Sequence, residues 1–221
     1  MATPSATRGP AAGARPRDRR LERRQQTIEE ALVHAVAIMG ETGVGSVSMS
    51  EIARRMGMQG PSLYKYFSSL HAVFDALFAR GLAAHNEAMF EAMATAAPGV
   101  PRVRAMSRAS VQWSVHNSAL AQLLFWRPVP GFEPSPSTYA TSVHALARIR
   151  AELAEAVRRK ELGRRAKGDD ALRLLTVVLS GLFTRQAANE PGASFDAGMI
   201  SRLTDEAIDM FLAHYPTPER F

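Results

Sequence analysis

The sequence predicts an all-α protein, with a short N-terminal three-helix region followed by a larger helical part. Three observations carry that prediction. Beyond residue 20, apolar residues recur at intervals of three and four, the period of one helix face. No run alternates apolar and polar residues over a useful strand length. Breaks such as Pro98-Gly99-Val100-Pro101 stand far enough apart to leave room for long helices. The 221 residues fit one domain of ordinary size, or a small domain joined to a medium one. With 46% hydrophobic and 22% charged residues, disorder of the whole chain is excluded.

Taken in order, residues 1–20 are rich in Ala, Pro, Gly and Arg without periodicity and read as a disordered basic arm. Residues 21–70 read as a helix-turn-helix unit, and 71–221 as the larger domain. Ile28, Ala31, Leu32, Ala35 and Met39 share one face of a first helix, which should stop near Gly40–Gly43. Ser48 and Glu51 form an S-x-x-E capping box that opens a second helix bearing Met49, Ile52, Ala53 and Met56. Gly57 ends it. Residues 60–67 form a third, with Leu63 and Phe67 on one side. A long helix is expected over 69–96, and one or two over 102–125. Pro128, Pro130, Pro134 and Pro136 mark a loop, after which 137–162 reads as a long amphipathic helix. Residues 163–168 make a basic turn, Asp169 and Asp170 open the next helix, and 196–214 reads as the last.

Charge and composition narrow the function. The net charge of +6 is concentrated at the N-terminus. Residues 1–26 hold seven arginines against Asp18 and Glu22, a net +5, whereas residues 27–71 net −1. A local basic tail points to a polyanion, either nucleic acid or an anionic membrane surface. The longest apolar stretch, residues 174–184, is too short to span a bilayer, and no secretory signal is visible, so a cytoplasmic protein is expected. With no cysteine, a thiolate metal site and a cysteine nucleophile are excluded. The six histidines lack zinc spacing, and no G-x-S-x-G, H-E-x-x-H, phosphate loop or dinucleotide fingerprint occurs. No enzyme, metal or cofactor is expected.

The informative stretch is 48–67, SMSEIARRMGMQGPSLYKYF. Two short helices joined at Gly57-Met58-Gln59 need a third helix behind them, which residues 25–39 supply. That is the helix-turn-helix arrangement, whose second helix lies in the DNA major groove. With Leu63 and Phe67 facing inward, Gln59, Gly60, Pro61, Ser62, Tyr64 and Lys65 are left for solvent or DNA. Gly60 and Pro61 allow close backbone approach, while Ser62, Tyr64, Lys65 and Tyr66 offer hydroxyls and one cation. Arg54 and Arg55 read as a solvated face.

At these residues the chain resembles the TetR/AcrR family of transcriptional regulators. The resemblance covers roughly residues 23–82 and rests on Thr27-Ile28, Ala31, Gly43, Ser48, Ile52-Ala53, Gly57, Leu63-Tyr64 and Tyr66-Phe67. It implies about nine helices, a DNA-binding set that adds Thr27, Ser48 and Met49 to the residues above, and a larger domain for ligand binding and dimerisation. Such proteins mostly repress from a palindromic operator on double-stranded DNA until a small effector releases them. Three positions depart from the family pattern: Tyr66 replaces the usual histidine, Gln59 an N-capping serine, and Leu70 a lysine. The arginine arm, Arg15 to Arg24, reads equally as a substitute for the missing cation at the minor groove or as a solubilising tail.

The C-terminal part is less specific. Aromatic residues and methionines at helical spacing are core in most proteins, yet such side chains also line bundle cavities. Trp113, His116, Trp126 and His144 are the candidate ligand contacts, whereas Arg127 reads as solvated. The helix after Asp170 is apolar nearly all round and needs cover on every side. Leu175, Leu179 and Leu182, with Leu203 and Met210 from the last helix, are therefore the candidate homodimer interface that the resemblance implies. Reading the chain as a largely apolar-effector-responsive repressor leaves two rivals, a ligand-independent DNA-packaging protein and a helical enzyme.

Overall fold

The structure, a computed structural model, describes residues 16–217, and every regular element among them is helical. Nine α-helices run in order: α1 Pro16–Thr42, α2 Met49–Arg55, α3 Gly60–Leu63, α4 Leu70–Ala94, α5 Val100–His116, α6 Ser118–Trp126, α7 Pro136–Arg158, α8 Asp169–Asn189 and α9 Thr204–Ala213, counted among the described residues.

The first helix begins earlier than periodicity alone predicts. Residues 16–20, expected to be disordered, form its opening turns, and only residues 1–15 of the expected arm lie outside the described residues. The cause is local propensity. Proline is tolerated in a first turn, and the Arg, Leu, Glu and Gln that follow are strong helix formers even without an apolar face.

Ala31, Leu32, Ala35, Ile38 and Met39 of α1 are buried against Ile52 and Ala53 of α2 and Leu63 of α3. The same apolar cluster continues through Phe74, Phe78 and Leu82 of α4 to Leu120, Leu123 and Leu124 of α6, and takes in Phe132 of the following loop. The small N-terminal unit is thus packed into the larger domain. Gly81 lies where α4 meets α6, and a Cβ there would stand 3.5 Å from the side chains of Leu120 and Leu124.

A second cluster joins α4, α5, α7, α8 and α9 through Met93, Met106, Leu153, Leu175 and Phe211. Two carboxylates cap its central helix: Glu152 Oε1 accepts Gly99 N at 2.6 Å and Glu161 Oε2 accepts Val100 N at 2.7 Å. Negative charge suits the positive end of the helix dipole. Gly99, at φ +92°, is required there, because a Cβ would collide with Glu161.

Two expectations for the C-terminal helices are corrected. The last α-helix covers Thr204–Ala213, not 196–214, because Gln186 and Glu190 capture the preceding backbone in an irregular loop. Gln186 Oε1 accepts Ser201 N at 3.0 Å, and Glu190 Oε2 accepts Met199 N at 2.7 Å. Nor does α8 need outside cover all round. Leu172, Leu175 and Phe183 are buried within this one chain, leaving Val177 as its large exposed apolar residue.

Candidate nucleic-acid interface and internal cavity

The helix-turn-helix is fixed by its capping and by ion pairs. Ser48 Oγ accepts the Glu51 backbone N–H at 3.1 Å, which starts α2. The return half of the capping box is not made. The Glu51 carboxylate instead pairs with Arg54 at 2.7 Å and Arg55 at 3.0 Å, and Arg55 reaches Glu41 at 2.7 Å. The expected solvated arginines therefore include one tie from α2 to the end of α1. Hydrogen bonds from Arg54 and then Arg55 hold the Glu51 carboxyl down at about 2.

Gly57, at φ +66°, turns the chain toward α3. This second helix is shorter than the expected 60–67. After Leu63 it tightens, with Tyr66 N donating to Leu63 O at 2.9 Å and Lys65 N to Ser62 O at 3.3 Å, the i to i−3 pattern of a narrowing last turn. Gln59 stands at its N-cap without a side-chain cap bond.

Leu63 is buried, whereas Gln59, Pro61, Tyr64 and Lys65 are exposed; Gly60, Ser62 and Tyr66 are half-buried. Tyr64 is 57% exposed despite its size. Tyr66 packs partly on the core, with the Arg24 guanidinium 5.4 Å from its ring centroid. Arg24 Nη1 also donates to Lys65 O at 2.8 Å. A cleft lined by Arg20, Arg23, Arg24, Thr27, Lys65 and Tyr66 follows, set between the start of α1 and the end of α3. Periodicity missed this cleft because it depends on α1 continuing into the arginine-rich segment. Thr27 is half-buried, and its hydroxyl donates to Arg23 O at 3.0 Å. Ser48 serves as a cap. Met49 is a correction: its side chain is 6% exposed, in the core, and is not available to a partner.

The larger domain holds a cavity of about 400 Å³, open to solvent on one side, between α4, α5, α6, α7 and α8. Its walls are mostly apolar, from Phe78, Leu82, Met89, Leu124, Ile149 and Leu179. Its polar groups are His85, Asn86, Ser110, Ser114, Tyr139, Ser142, Thr176 and Ser180, with Arg127 as the one charged lining residue. His85 and Ser110 are hydrogen-bonded, Nε2 to Oγ, at 2.8 Å. Burial pushes the His85 imidazole down to about 4, so it is neutral at physiological pH.

None of the four residues chosen from sequence lines this cavity. Trp113 stands behind its wall, edge-on to His85 at 5.2 Å between ring centroids. His116 is exposed, its Nδ1 2.9 Å from Gln112 O. Trp126 is turned toward α8, where its Nε1 donates to Thr184 Oγ1 at 3.0 Å. His144 lies in a separate outer groove beside Phe90 and Arg148. Arg127, expected to be merely solvated, is exposed at the cavity's edge in the left-handed conformation, φ +46°. The available signal was a polar pair, His85-Asn86, interrupting the buried stripe Phe78, Leu82, Met89 and Met93.

The expected interface residues also separate. Leu175 is a core residue, whereas Leu179 is half-buried and lines the cavity. Leu182 is half-buried, Leu203 is 45% exposed and Met210 is 75% exposed. Among the described residues, no cluster of three or more His, Asp or Glu could hold a metal ion. No helix among them is long and apolar enough to cross a membrane.

A capped helix-turn-helix joined to an all-helical domain with an internal cavity defines the class of helix-turn-helix regulators. Residues 31–77 match the family described as bacterial regulatory proteins, tetR family. Solved structures share the fold across most of both chains. A protein of unknown function from Rhodococcus sp. RHA1 superposes with a TM-score of 0.69 at 20% identity, over 86% of this chain and 95% of that one. The TetR family transcriptional regulator PfmR from Thermus thermophilus gives 0.63 at 19% identity, over 90% and 98%. The transcriptional regulator FadR from Bacillus subtilis, solved in complex with stearoyl-CoA, gives 0.66 at 15% identity, over 84% and 97%. No curated protein matches the chain by sequence.

Proposed function

We propose that this chain is a sequence-specific, non-enzymatic transcriptional regulator of the cytoplasm, a homodimer that represses from a palindromic operator and is released by a small, largely apolar effector. The observation that carries the DNA side is the exposed row Gln59, Pro61, Tyr64 and Lys65 on a helix whose other face is locked in the core. Base edges are read by that row, with Ser62 and the backbone at Gly60 close behind it. The arginines beside Tyr66 and Lys65 hold the flanking phosphates, where each neutralised phosphate releases counterions.

The effector occupies the internal cavity. Phe78, Leu82 and Leu124 belong both to its wall and to the apolar cluster that holds Ile52 and Leu63. A ligand that fits only one arrangement of those side chains biases the placement of α3, and so shifts the population able to bind DNA. The dimer surface comprises Leu182, Leu203 and Met210 with exposed Val177, and two such subunits set their recognition helices about 34–36 Å apart, one turn of DNA.

The test is a selection of genomic DNA fragments with the purified protein, read by sequencing. One enriched palindromic site is the expected result. Enrichment without sequence preference would replace this reading with DNA packaging. Light scattering on Met210→Glu, expected to give monomers or aggregates, checks the dimer.

A further inference from the structure

Charge and spare hydrogen-bonding capacity are unevenly divided between the depth of the cavity and its open side. In the depth, His85 and Ser110 share a 2.8 Å hydrogen bond, and Ser114 donates to Ser110 O at 2.7 Å. On the α8 wall, Thr176 and Ser180 are half-buried and donate to carbonyls of their own helix, at 2.8 and 3.2 Å. These groups are satisfied without a ligand, which suits the depth to an apolar body.

The open side differs. Arg127 is exposed there, the one charged lining residue, and its guanidinium has no hydrogen bond or ion pair among the described residues. The hydroxyls of Tyr139 and Ser142, from the first two turns of α7, are also without a protein partner among those residues. All three groups can donate, and no aspartate or glutamate lines the cavity to engage them. Arg127 closes α6 in the left-handed conformation, φ +46°, which is costly for a residue with a side chain and recurs at ligand clamps.

From this division we infer that the cavity takes an anionic amphiphile, its apolar chain among Phe78, Leu82, Met89 and Ile149 and its carboxylate held at the open side by the Arg127 guanidinium. A carboxylate accepts and never donates, so it matches a set of free donors, and one guanidinium can bond both of its oxygens. A cationic head would meet donors alone. Solvent at the open side spares the carboxylate the full cost of burial. Arg127 is then the residue that selects the head group. The inference rests on the cavity being the effector site, but binding is read on the protein alone, so a failed operator search leaves its outcome readable.

The experiment is titration calorimetry of the full chain at neutral pH with three probes of equal chain length: decanoate, decanol and decyltrimethylammonium. Decanoate is expected to bind about tenfold more tightly than decanol, the usual worth of hydrogen bonds to a charged group, and the cation most weakly. In Arg127→Asn, a residue that tolerates the left-handed conformation, decanoate is expected to lose that advantage while decanol binds as before. Melting followed by circular dichroism checks that this variant is folded. Should it not be, the natural chain still decides, because added potassium chloride is expected to weaken decanoate but not decanol. Decanol binding as tightly as decanoate to the natural chain would sink the inference and leave the cavity an effector site. Tightest binding by the cation, a decanoate advantage that survives both Arg127→Asn and added salt, or binding by none of the three would each overturn it as well.

Discussion

In the helix-turn-helix region the polar side chains that matter point outward, Tyr64 and Lys65 above all, whereas the larger domain turns His85, Asn86, Ser110 and Ser114 inward. Both regions draw on one apolar cluster for support, so the contrast does not come from separate cores. It follows from what each region is suited to meet. A polar, charged partner too large to enter is met by an exposed row on a rigid backing. A small apolar ligand is met by a few buried polar groups in a greasy wall.

The largest effect expected from breaking this arrangement is at Leu63, which is fully buried where the outward row is anchored. Leu63→Ala should cost about 2–5 kcal/mol and shift a single thermal transition shared by both regions. Two separate transitions in that variant would mean that the regions do not share a cooperative core.

Next comes Tyr64→Ala, which should weaken operator binding about tenfold while the melting temperature stays put. An unchanged affinity would remove Tyr64 from the outward row. Smaller again, Arg20→Ala and Arg23→Ala should each reduce the slope of log affinity against log salt by about one, measured by fluorescence anisotropy with labelled operator. A slope that does not change would make the cleft a solubilising surface.

The smallest effect is acid sensitivity in the outward region. The Glu51 carboxyl is held at about 2 in the folded chain, against an ordinary 4.5. Its contribution is therefore complete above pH 4.5 and is lost as pH falls from there through about 2. Replacing it in Glu51→Gln should flatten this part of the pH dependence of unfolding, followed by circular dichroism. His85 works in the same sense over a higher window: burial lowers its value from 6.5 to about 4, so stability is lost as pH falls from 6.5 through about 4, and this loss should remain in the Glu51 variant.

The contrast also explains what could be read from the sequence. The helix-turn-helix was legible because its signals are local: Ser48 caps a helix three residues away, Gly57 makes the turn, and Leu63 fixes the inward face. The cavity is assembled from helices separated by up to a hundred residues, as when Asn86 and Ser180 share one wall. Aromatic identity then misled, since Trp113 backs the wall and Trp126 turns toward Thr184. Hydrophobicity misled likewise at Leu175, because an apolar helix is covered as well by its own chain as by a second one. The start of α1 was hidden for the converse reason, being helical through propensity with no face to bury.

The position of the tryptophans has a practical consequence. The chain has two, Trp113 and Trp126, and both flank the cavity-bearing domain while the helix-turn-helix has none. Trp113 sits against His85, and Trp126 lies 5.8 Å from the Phe183 ring between centroids. Intrinsic emission is thus an unlabelled optical gauge of the inner compartment, insensitive to direct contacts on the outer face. Titrated with DNA and then with a small molecule, the protein itself separates the two events by which one changes its colour.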